Sequence, residues 1–355
     1  MRNHEVLLPQ DLLDSEGEIA DPGWSRSQVW KYRRKSIKAP AFRIKEWDYY
    51  MVLHDGGEED SYAVCFTISD DGYVGLQSVT LLCLNQEHPW EHTETVLNVF
   101  PMGKLKLPEN SDYGTTRYED KRLKMEFRKT ETGREITCEF KDFYEGKPLS
   151  AHIVLEQPNM DTMVIATPWD RKHCFYYNQK INTMCARGTV TYDGKEYEFH
   201  ADKDFGTLDW GRGVWTYDNT WYWGSGNTWV NGHKVGFNIG HGFGNTSAAT
   251  ENVIFYDGMV HKLDDVRIEI PNDVDLYDMD SPHYMEPWKI SESNGRFEME
   301  FVPILDRSAK MDFKVIISDQ HQVFGRMSGQ MILDDGETVT LNNVLCFIEK
   351  VHNKS

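Results

Sequence analysis

The sequence lacks any apolar segment long enough to form a membrane helix. Only 39% of its 355 residues are hydrophobic, and the longest apolar runs, such as 79–84, fall far short of the ~20 residues that a spanning helix needs. The first 18 residues contain no basic stretch followed by an apolar one, so we find no secretory signal. These absences predict a cytoplasmic protein with no stable membrane insertion.

Positive charge is scarce as well. The chain has 38 Lys+Arg against 57 Asp+Glu, which gives a formal net charge of −19. Binding to a phosphate backbone depends on clustered Lys and Arg, so we predict no nucleic-acid partner. We predict a small-molecule ligand as the partner. The sequence does not determine the oligomeric state.

Metal and nucleotide motifs are missing too. The six cysteines show no CxxC or other metal-ligand spacing, and the chain has no G-x-S-x-G elbow or Walker loop. His88, Glu91 and His92 match the H-x-x-E-H zinc pattern, which needs a helix that presents both histidines on one face. Pro89 and strand-like flanks argue against that helix. The Gly-rich segment Gly240–Gly244 has no βαβ unit around it, as a dinucleotide fingerprint requires. We therefore predict no metal and no cofactor.

What the sequence does contain is alternation with a period of two. Leu123, Met125 and Phe127 point to one side of a predicted strand, and the polar residues between them point to the other. Turn dipeptides, in which Gly tolerates the positive φ of a tight hairpin, separate such segments. They are Asp71-Gly72, Glu145-Gly146, Asp193-Gly194, Asn231-Gly232, Asp257-Gly258, Asn294-Gly295 and Asp335-Gly336. This pattern predicts an all-β chain of antiparallel strands.

The two halves of the chain also resemble each other. Residues 24–32 read W-S-R-S-Q-V-W-K-Y, and residues 210–217 read W-G-R-G-V-W-T-Y. Three further matches follow in the same order: Trp47 with Trp221, Val64-x-Phe66-x-Ile68 with Val235-x-Phe237-x-Ile239, and Leu123-x-Met125-x-Phe127 with Phe297-x-Met299-x-Phe301. A period near 175 is too long for a solenoid repeat and suits a closed barrel. We predict two tandem homologous β-barrel, lipocalin-like domains, 1–190 and 191–355.

Segment 202–251 is the densest candidate for chemistry. It carries two carboxylates, Asp204 and Asp209, close to several tryptophans. A carboxylate against an indole face is desolvated, so its pKa rises and it can hold a proton for general acid catalysis. Aromatic faces also stabilise a developing cation. The predicted substrate-binding residues are Trp210, Arg212, Trp215, Tyr217, Trp221 and Trp223.

The same segment has a structural interpretation. Asp209 then ends a turn and pairs with Arg212, and the tryptophans fill a barrel core. The recurrence of Arg26 and Arg212 beside tryptophan in both halves favours a closure element of the barrel. His241 and Glu251, which follow a predicted strand, are candidates for a general base and its orienting carboxylate. Their structural alternative is a solvated loop at a barrel mouth.

Four segments carry a family resemblance: Pro22-Gly-Trp24-Ser-Arg26, Asp209-Trp210-Gly-Arg212-Gly, Thr250-Glu251-Asn252 with Asp257-Gly258, and Phe324-Gly-Arg326-Met-Ser-Gly329. Together they resemble the uncharacterised domain-of-unknown-function family 2804 over nearly the whole chain. The chain is more distantly similar to the two-barrel, lipocalin-like group of carotenoid hydratase and tocopherol cyclase. That similarity implies an apolar substrate bound between or inside two barrels. The Asp-x-x-Trp-Gly element of that group appears here with Asp209 and Trp210 adjacent, so the spacing departs from the group's pattern.

Our first functional hypothesis is a cofactor-free acid/base enzyme, a hydratase, cyclase or isomerase, acting on an apolar or unsaturated small molecule. Asp209 or Asp204 would protonate a double bond, and His241 or Glu251 would take the final proton. The first alternative is a non-catalytic carrier of a hydrophobic ligand. The second is a carbohydrate-active enzyme that uses paired carboxylates.

Overall fold

A computed structural model describes residues 2–312 and 316–355, and about 60% of these residues are in β-strands. The helical elements in the described residues are two short 3₁₀ turns, Arg34–Ser36 and Ala41–Arg43. The prediction of an all-β chain is therefore confirmed. Alternating side chains leave each strand with one apolar face, which is buried when the strand pairs into a sheet.

The first half of the chain forms a large antiparallel sheet, and a short parallel pair lies beside it. The strands are β1 (Gln10–Asp11), β2 (Gly23–Ser25), β3 (Trp30–Lys31), β4 (Ile44–His54), β5 (Tyr62–Asp70), β6 (Val74–Cys83), β7 (Trp90–Val99), β8 (Thr115–Glu119), β9 (Leu123–Lys129), β10 (Gly133–Tyr144), β11 (Lys147–Glu156), β12 (Met163–Pro168), β13 (Phe175–Tyr192), β14 (Lys195–Phe199) and β15 (Phe205–Val214). The main order is β7-β6-β5-β4-β15-β13-β11-β10-β9-β8, with β12 and β14 also paired to β13.

The second half forms another antiparallel sheet. Its strands are β16 (Asp218–Val230), β17 (His233–His241), β18 (Val253–Tyr256), β19 (Met259–Lys262), β20 (Val266–Glu269), β21 (Trp288–Glu292), β22 (Phe297–Asp312), β23 (Ile317–Ile332) and β24 (Thr338–Lys354). Their order is β19-β18-β17-β16-β24-β23-β22-β21-β20. Each sheet is curled into a half-barrel, so the chain contains two tandem lipocalin-like domains.

The strand orders show which of the sequence matches are structurally equivalent. The run β4-β5-β6-β7 corresponds to β16-β17-β18-β19, and β15 corresponds to β24, since each pairs antiparallel with the first strand of its run. Trp47 and Trp221 each occupy the fourth position of the first strand, and the Val-x-Phe-x-Ile segments lie on the second strand of each run.

Two of the matches differ in position. Residues 123–127 lie on β9, whereas residues 297–301 lie on β22, which corresponds to β11 in the strand order. Trp24 lies on β2, which pairs with β12, whereas Trp210 lies on β15, between β13 and β4. Alternating strands share a generic pattern, so a match of this kind can fall on strands that are not equivalent.

The two sheets divide between Val214 and Asp218. Strands β14 and β15 pair in the first sheet, although the sequence analysis assigned residues 191–214 to the second domain. The reason is that β15 lies between β13 and β4 and closes the first sheet, as β24 lies between β23 and β16 in the second.

Three apolar cores hold the molecule together. The first belongs to the first sheet and contains Trp30, Phe140 and Trp210. The second belongs to the second sheet and contains Phe237, Trp288 and Phe301. The third, here called the inter-sheet core, takes buried side chains from both sheets. They include Met51, Cys65, Tyr176, Trp215, Trp223, Phe243, Phe324 and Phe347, with Trp47, Tyr49 and Trp221 packed at its margin.

Candidate functional site

Strand alternation decides which predicted residues reach the inter-sheet core. On β15, Asp209 points toward the second sheet, while Trp210 and Arg212 on the other face point into the first core. Trp215, Trp221 and Trp223 lie in or beside the inter-sheet core, as Asp209 does. The Trp-rich segment of the sequence therefore divides between two environments, because neighbouring residues of a strand face opposite ways.

Asp209 forms a buried ion pair in this core. Lys180 Nζ lies 2.8 Å from Asp209 Oδ1, and the two residues are cross-strand partners on β13 and β15. Asn178 Nδ2 donates to Asp209 Oδ1 at 2.7 Å, and Trp47 Nε1 donates to Asp209 Oδ2 at 3.1 Å. The Lys180 ammonium also lies 4.0 Å from the centre of the Trp223 ring. Both charges are thus paired and hydrogen-bonded, which burial of charge requires.

Two further carboxyl groups face this pair from the second half of the chain. Glu251 Oε2 accepts from the Tyr176 hydroxyl at 3.0 Å, and Glu251 Oε1 accepts from Asn238 Nδ2 at 3.3 Å. Burial raises the pKa of the Glu251 carboxyl, and the nearby Asp209 charge raises it further, while Lys180 opposes both. Glu251 is thereby biased toward its protonated form.

Glu349 on β24 completes the group. Its Oε1 accepts from Trp221 Nε1 at 3.2 Å, and its Oε2 accepts from Gln322 Nε2 at 3.3 Å. Burial raises the pKa of the Glu349 carboxyl to about 7, with Trp221 and Lys180 acting in the opposite direction. We call Lys180, Asp209, Glu251 and Glu349 the buried charge cluster. It places a carboxyl that titrates near neutral pH beside an ion pair.

Aromatic rings form one wall of the buried charge cluster. Trp215 packs edge-on against Trp47 and Trp221, with ring centroids 5.8 and 5.0 Å apart. Trp223 packs edge-on against Tyr49 at 5.9 Å, and its Nε1 donates to Asn238 Oδ1 at 2.7 Å. Asn238 thereby links Trp223 to Glu251. Such faces stabilise positive charge through their quadrupoles.

Other predicted site residues lie elsewhere. Arg212 packs over Trp210 in the first core, with its guanidinium carbon 4.0 Å from the ring centre. Its Nη1 lies 3.0 Å from Asp48 Oδ1, so the interpretation that Arg212 pairs with Asp209 is wrong. Strand alternation is the reason, since Arg212 and Asp209 are three positions apart and face opposite sides. The side chains of Trp210 and Arg212 complete the first core.

Asp204 is buried at the start of β15, away from the cluster. It accepts from His200 N at 2.7 Å and lies 2.9 Å from His54 Nδ1. Its hydrogen bond to His54 raises the pKa of that imidazole. The structure therefore gives Asp204 a histidine partner and places it outside the aromatic wall.

His241 and Tyr217 are also separate from the buried charge cluster. His241 stacks on Tyr222, with ring centroids 4.5 Å apart, and burial lowers the pKa of its imidazole. Its neighbour Gly240 lies against Glu251, so His241 points to the opposite face of β17. Tyr217 is 45% exposed in the link between the sheets. Of the four predicted catalytic residues, Asp209 and Glu251 are the two that the fold brings together.

Sequence reasoning missed Lys180 and Glu349. Both stand in strands whose other residues are largely buried, 175–192 and 338–354. A charged residue at a buried position of such a run is a signal, because an ionised side chain is rarely buried without a partner. The partner strand cannot be identified without the fold, so the signal alone does not locate the site.

A cavity of about 310 Å³ lies at one end of the same inter-sheet space. Its lining comes from both sheets: Met51, Leu53, Asp55, Asp202, Lys203, Phe205, Gly226, Asn227, Thr228, Trp229 and Leu345. Beside it, Arg326 on β23 binds Asp55 with N–O distances of 3.1 and 3.2 Å and so joins the two sheets. The volume is at the lower end of the range typical of small-molecule pockets.

The family model of DUF2804, a domain of unknown function, matches residues 3–354. The chain belongs to this family. The resemblance drawn from the four sequence segments is therefore confirmed. Three of those segments supply residues described above. Asp209 and Glu251 belong to the buried charge cluster, and Arg326 joins the two sheets.

Solved structures similar to this DUF2804 protein include the following three, of which the first shares its fold. A candidate AttH from Nitrosomonas europaea is 10% identical, with a TM-score of 0.50 over 87% of this chain and 92% of that chain. CghA is 10% identical, with a TM-score of 0.44 over 98% and 97%. Kievitone hydratase from Nectria haematococca is 9% identical, with a TM-score of 0.44 over 87% and 88%. No curated protein sequence matches the chain. Within the described ranges, no helix has the length and apolar character to cross a membrane.

Proposed function

We propose that this protein is a cofactor-free acid/base enzyme that acts on a small, apolar, unsaturated molecule in the inter-sheet core. The observation that carries the proposal is the buried charge cluster against the tryptophan wall. A carboxyl with a pKa of about 7 can hold a proton at neutral pH and release it to a substrate.

In the proposed reaction, Glu349 transfers its proton to one carbon of a C=C bond and becomes a carboxylate. The cation that forms on the other carbon is stabilised by the faces of Trp221 and Trp223 and by the Asp209 charge. Water adds to the cation, and one of its protons returns to Glu349. The net reaction adds one water to the double bond, and the enzyme ends in its starting state.

Our proposal gives the acid role to a residue other than the two that the sequence favoured. Asp209 is held in an ion pair with Lys180 at 2.8 Å, and Asp204 is bound to His54 outside the cluster. Glu349 takes that role in our proposal, while Asp209 supplies fixed negative charge. Glu251, whose pKa is raised by burial, is the second group able to exchange a proton.

The test is the incorporation of solvent deuterium and water into a panel of isoprenoid alkenes and alkenols, measured by mass spectrometry in D₂O. The Glu349→Gln variant should reduce turnover by at least ~100-fold, the usual contribution of a general acid. The matched control is Glu298→Gln, which changes an exposed carboxylate on β22 and should leave turnover unchanged. Equal turnover in the Glu349→Gln variant and the wild type would contradict the proposal.

The cavity of about 310 Å³ favours one second candidate, a carrier of a hydrophobic ligand. A carrier would retain its bound molecule in the Glu349→Gln variant, and it would show no deuterium incorporation in any form. Organic extraction of the purified protein followed by mass spectrometry measures that retention. The two functions are therefore separable in the same set of samples.

A further inference from the structure

The cavity and the buried charge cluster occupy one continuous row of strand positions. On β15, Phe205 lines the cavity and Asp209 belongs to the cluster. Their cross-strand partners on β4 are Leu53, which also lines the cavity, and Tyr49, which packs on Trp223. In the first sheet, therefore, the cavity and the cluster lie four positions apart on both strands.

The second sheet shows the same spacing. On β24, Leu345 lines the cavity, and Glu349, four residues later, belongs to the cluster. On β16, Asn227 lines the cavity, and Trp223, four residues earlier, is the cross-strand partner of Glu349. At ~3.3 Å per residue, the cavity and the cluster lie ~13 Å apart along all four strands.

One layer of side chains lies between them. It consists of two cross-strand pairs, Thr207 with Met51 in the first sheet and Ser225 with Phe347 in the second. Thr207 and Ser225 are small, and Met51 has an unbranched, flexible side chain that adapts to its neighbours. Two hydrogen bonds between the sheets also cross this layer, from Asn182 Nδ2 to Ser225 Oγ and from Asn227 Nδ2 to Thr207 Oγ1, both at 2.8 Å. Joining the cavity to the cluster therefore requires movement of Met51 and Phe347 together with rearrangement of these two hydrogen bonds.

The cavity differs from the cluster in polarity. Its apolar lining residues include Leu53, Phe205 and Leu345, and its mouth carries Asp202 and Lys203, which are both exposed. The lining also includes the polar residues Asp55, Asn227 and Thr228. A ligand that fills the cavity therefore needs an apolar body that carries polar groups where it meets these residues and the mouth. The two charges at the mouth have opposite signs, so they favour a polar group without requiring a net charge.

We infer that the cavity is the entrance and distal subsite of the active cleft, and that the substrate is an elongated, mainly apolar, unsaturated molecule that spans the ~13 Å to Glu349. This inference rests on the proposed function. It adds a minimum length for the substrate and assigns Met51 and Phe347 as the side chains that separate the two subsites. A substrate of half that length would occupy the cluster end alone.

The test compares a long probe, all-trans-retinol, with a short one, geraniol, by titration calorimetry on the full chain. Leu53→Trp fills the cavity, and Leu97→Trp is the matched control, since Leu97 is 55% exposed on the edge strand β7. Leu53→Trp should weaken retinol binding at least tenfold and change geraniol binding less than twofold. Leu97→Trp should change neither.

A second variant guards against misfolding caused by the larger side chain. Thr228→Phe fills the same cavity from a partly exposed position on β16 and should have the same selective effect. The inference is overturned if wild-type protein does not bind retinol, if both cavity variants bind retinol normally, or if geraniol binding falls as much as retinol binding. Turnover by Glu349→Gln tests the proposed function separately, because that variant leaves the cavity intact.

Discussion

Lys180 and Asp209 face each other across β13 and β15, and their side chains form an ion pair of 2.8 Å inside the inter-sheet core. The pair adds one positive and one negative charge to a region that also holds Glu251 and Glu349. Those two carboxyl groups have raised pKa values, so the cluster need not carry three negative charges at once. In the proposed reaction, this arrangement supplies the proton.

Removal of one member of the ion pair should cost more stability than removal of both. Asp209→Asn leaves the Lys180 ammonium buried without its partner, and we expect a loss of about 3 kcal/mol in the free energy of unfolding. The double variant Lys180→Met/Asp209→Asn should recover most of that loss. Urea denaturation of the wild type, both single variants and the double variant measures the coupling. Additive effects of the single changes would contradict a direct ion pair.

The stability of the protein should depend on pH through Glu349. Burial raises the pKa of this carboxyl from 4.5 to about 7 in the folded state. The protonated Glu349 makes its full contribution to stability below the pKa of the unfolded state. That contribution is lost as the pH rises through the pKa of the folded state. Between pH 4.5 and 7 the wild type should therefore lose on the order of 2 kcal/mol relative to Glu349→Gln. Parallel stability curves for the two proteins would show that Glu349 is not perturbed.

The pH dependence of turnover should follow the same group. Glu349 must be protonated to act as the acid, so kcat should fall as the pH rises through about 7. The negative charge of Asp209 raises the pKa of Glu349, so the Asp209→Asn variant should move this falling limb to lower pH. Lys180 acts in the opposite direction, and Lys180→Met should move the limb to higher pH. If the falling limb of the kcat profile stays at the same pH in both variants, the limb reports the titration of another group.

The Trp47 ring requires a glycine opposite it. An added Cβ at Gly211 would lie 2.0 Å from a carbon of that ring, so Gly211→Ala must displace Trp47 and break its hydrogen bond to Asp209. We expect a loss of roughly 2 kcal/mol from this overpacking. Thermal unfolding should show a larger effect than Gly194→Ala, where the added methyl meets no atom within 4 Å and only the φ of +75° is unfavourable. A smaller effect at Gly211 would contradict the close contact.

The sequence was sufficient to predict the fold class and part of the site. Alternation and turn dipeptides predicted antiparallel strands, and the matches at Trp47 and Val64 reflect equivalent strands of the two sheets. The tryptophan-rich segment led to Asp209, Trp215, Trp221 and Trp223. In each case the signal was local, because it depends on neighbouring residues within one or two strands.

The remaining site residues depend on contacts that are distant in the chain. Lys180 and Glu349 are separated from Asp209 by 29 and 140 positions in the sequence, and only sheet pairing brings them together. Trp210 and Arg212 looked like site residues because they adjoin Asp209, yet alternation turns them into the first core. The domain boundary was placed too early for a similar reason, since the pairing of β15 with β4 is not visible in the local pattern.

Whether Glu349 holds a proton near neutral pH is measured by an infrared titration of the protein in D₂O, from pH 5 to 9, with Glu349→Gln as the reference. We expect a protonated-carboxyl band that disappears with a midpoint near the pKa of about 7 and is absent from the difference spectrum of the variant. If the wild type and the variant give the same spectra, Glu349 holds no proton near neutral pH, and the proposed acid catalysis is contradicted.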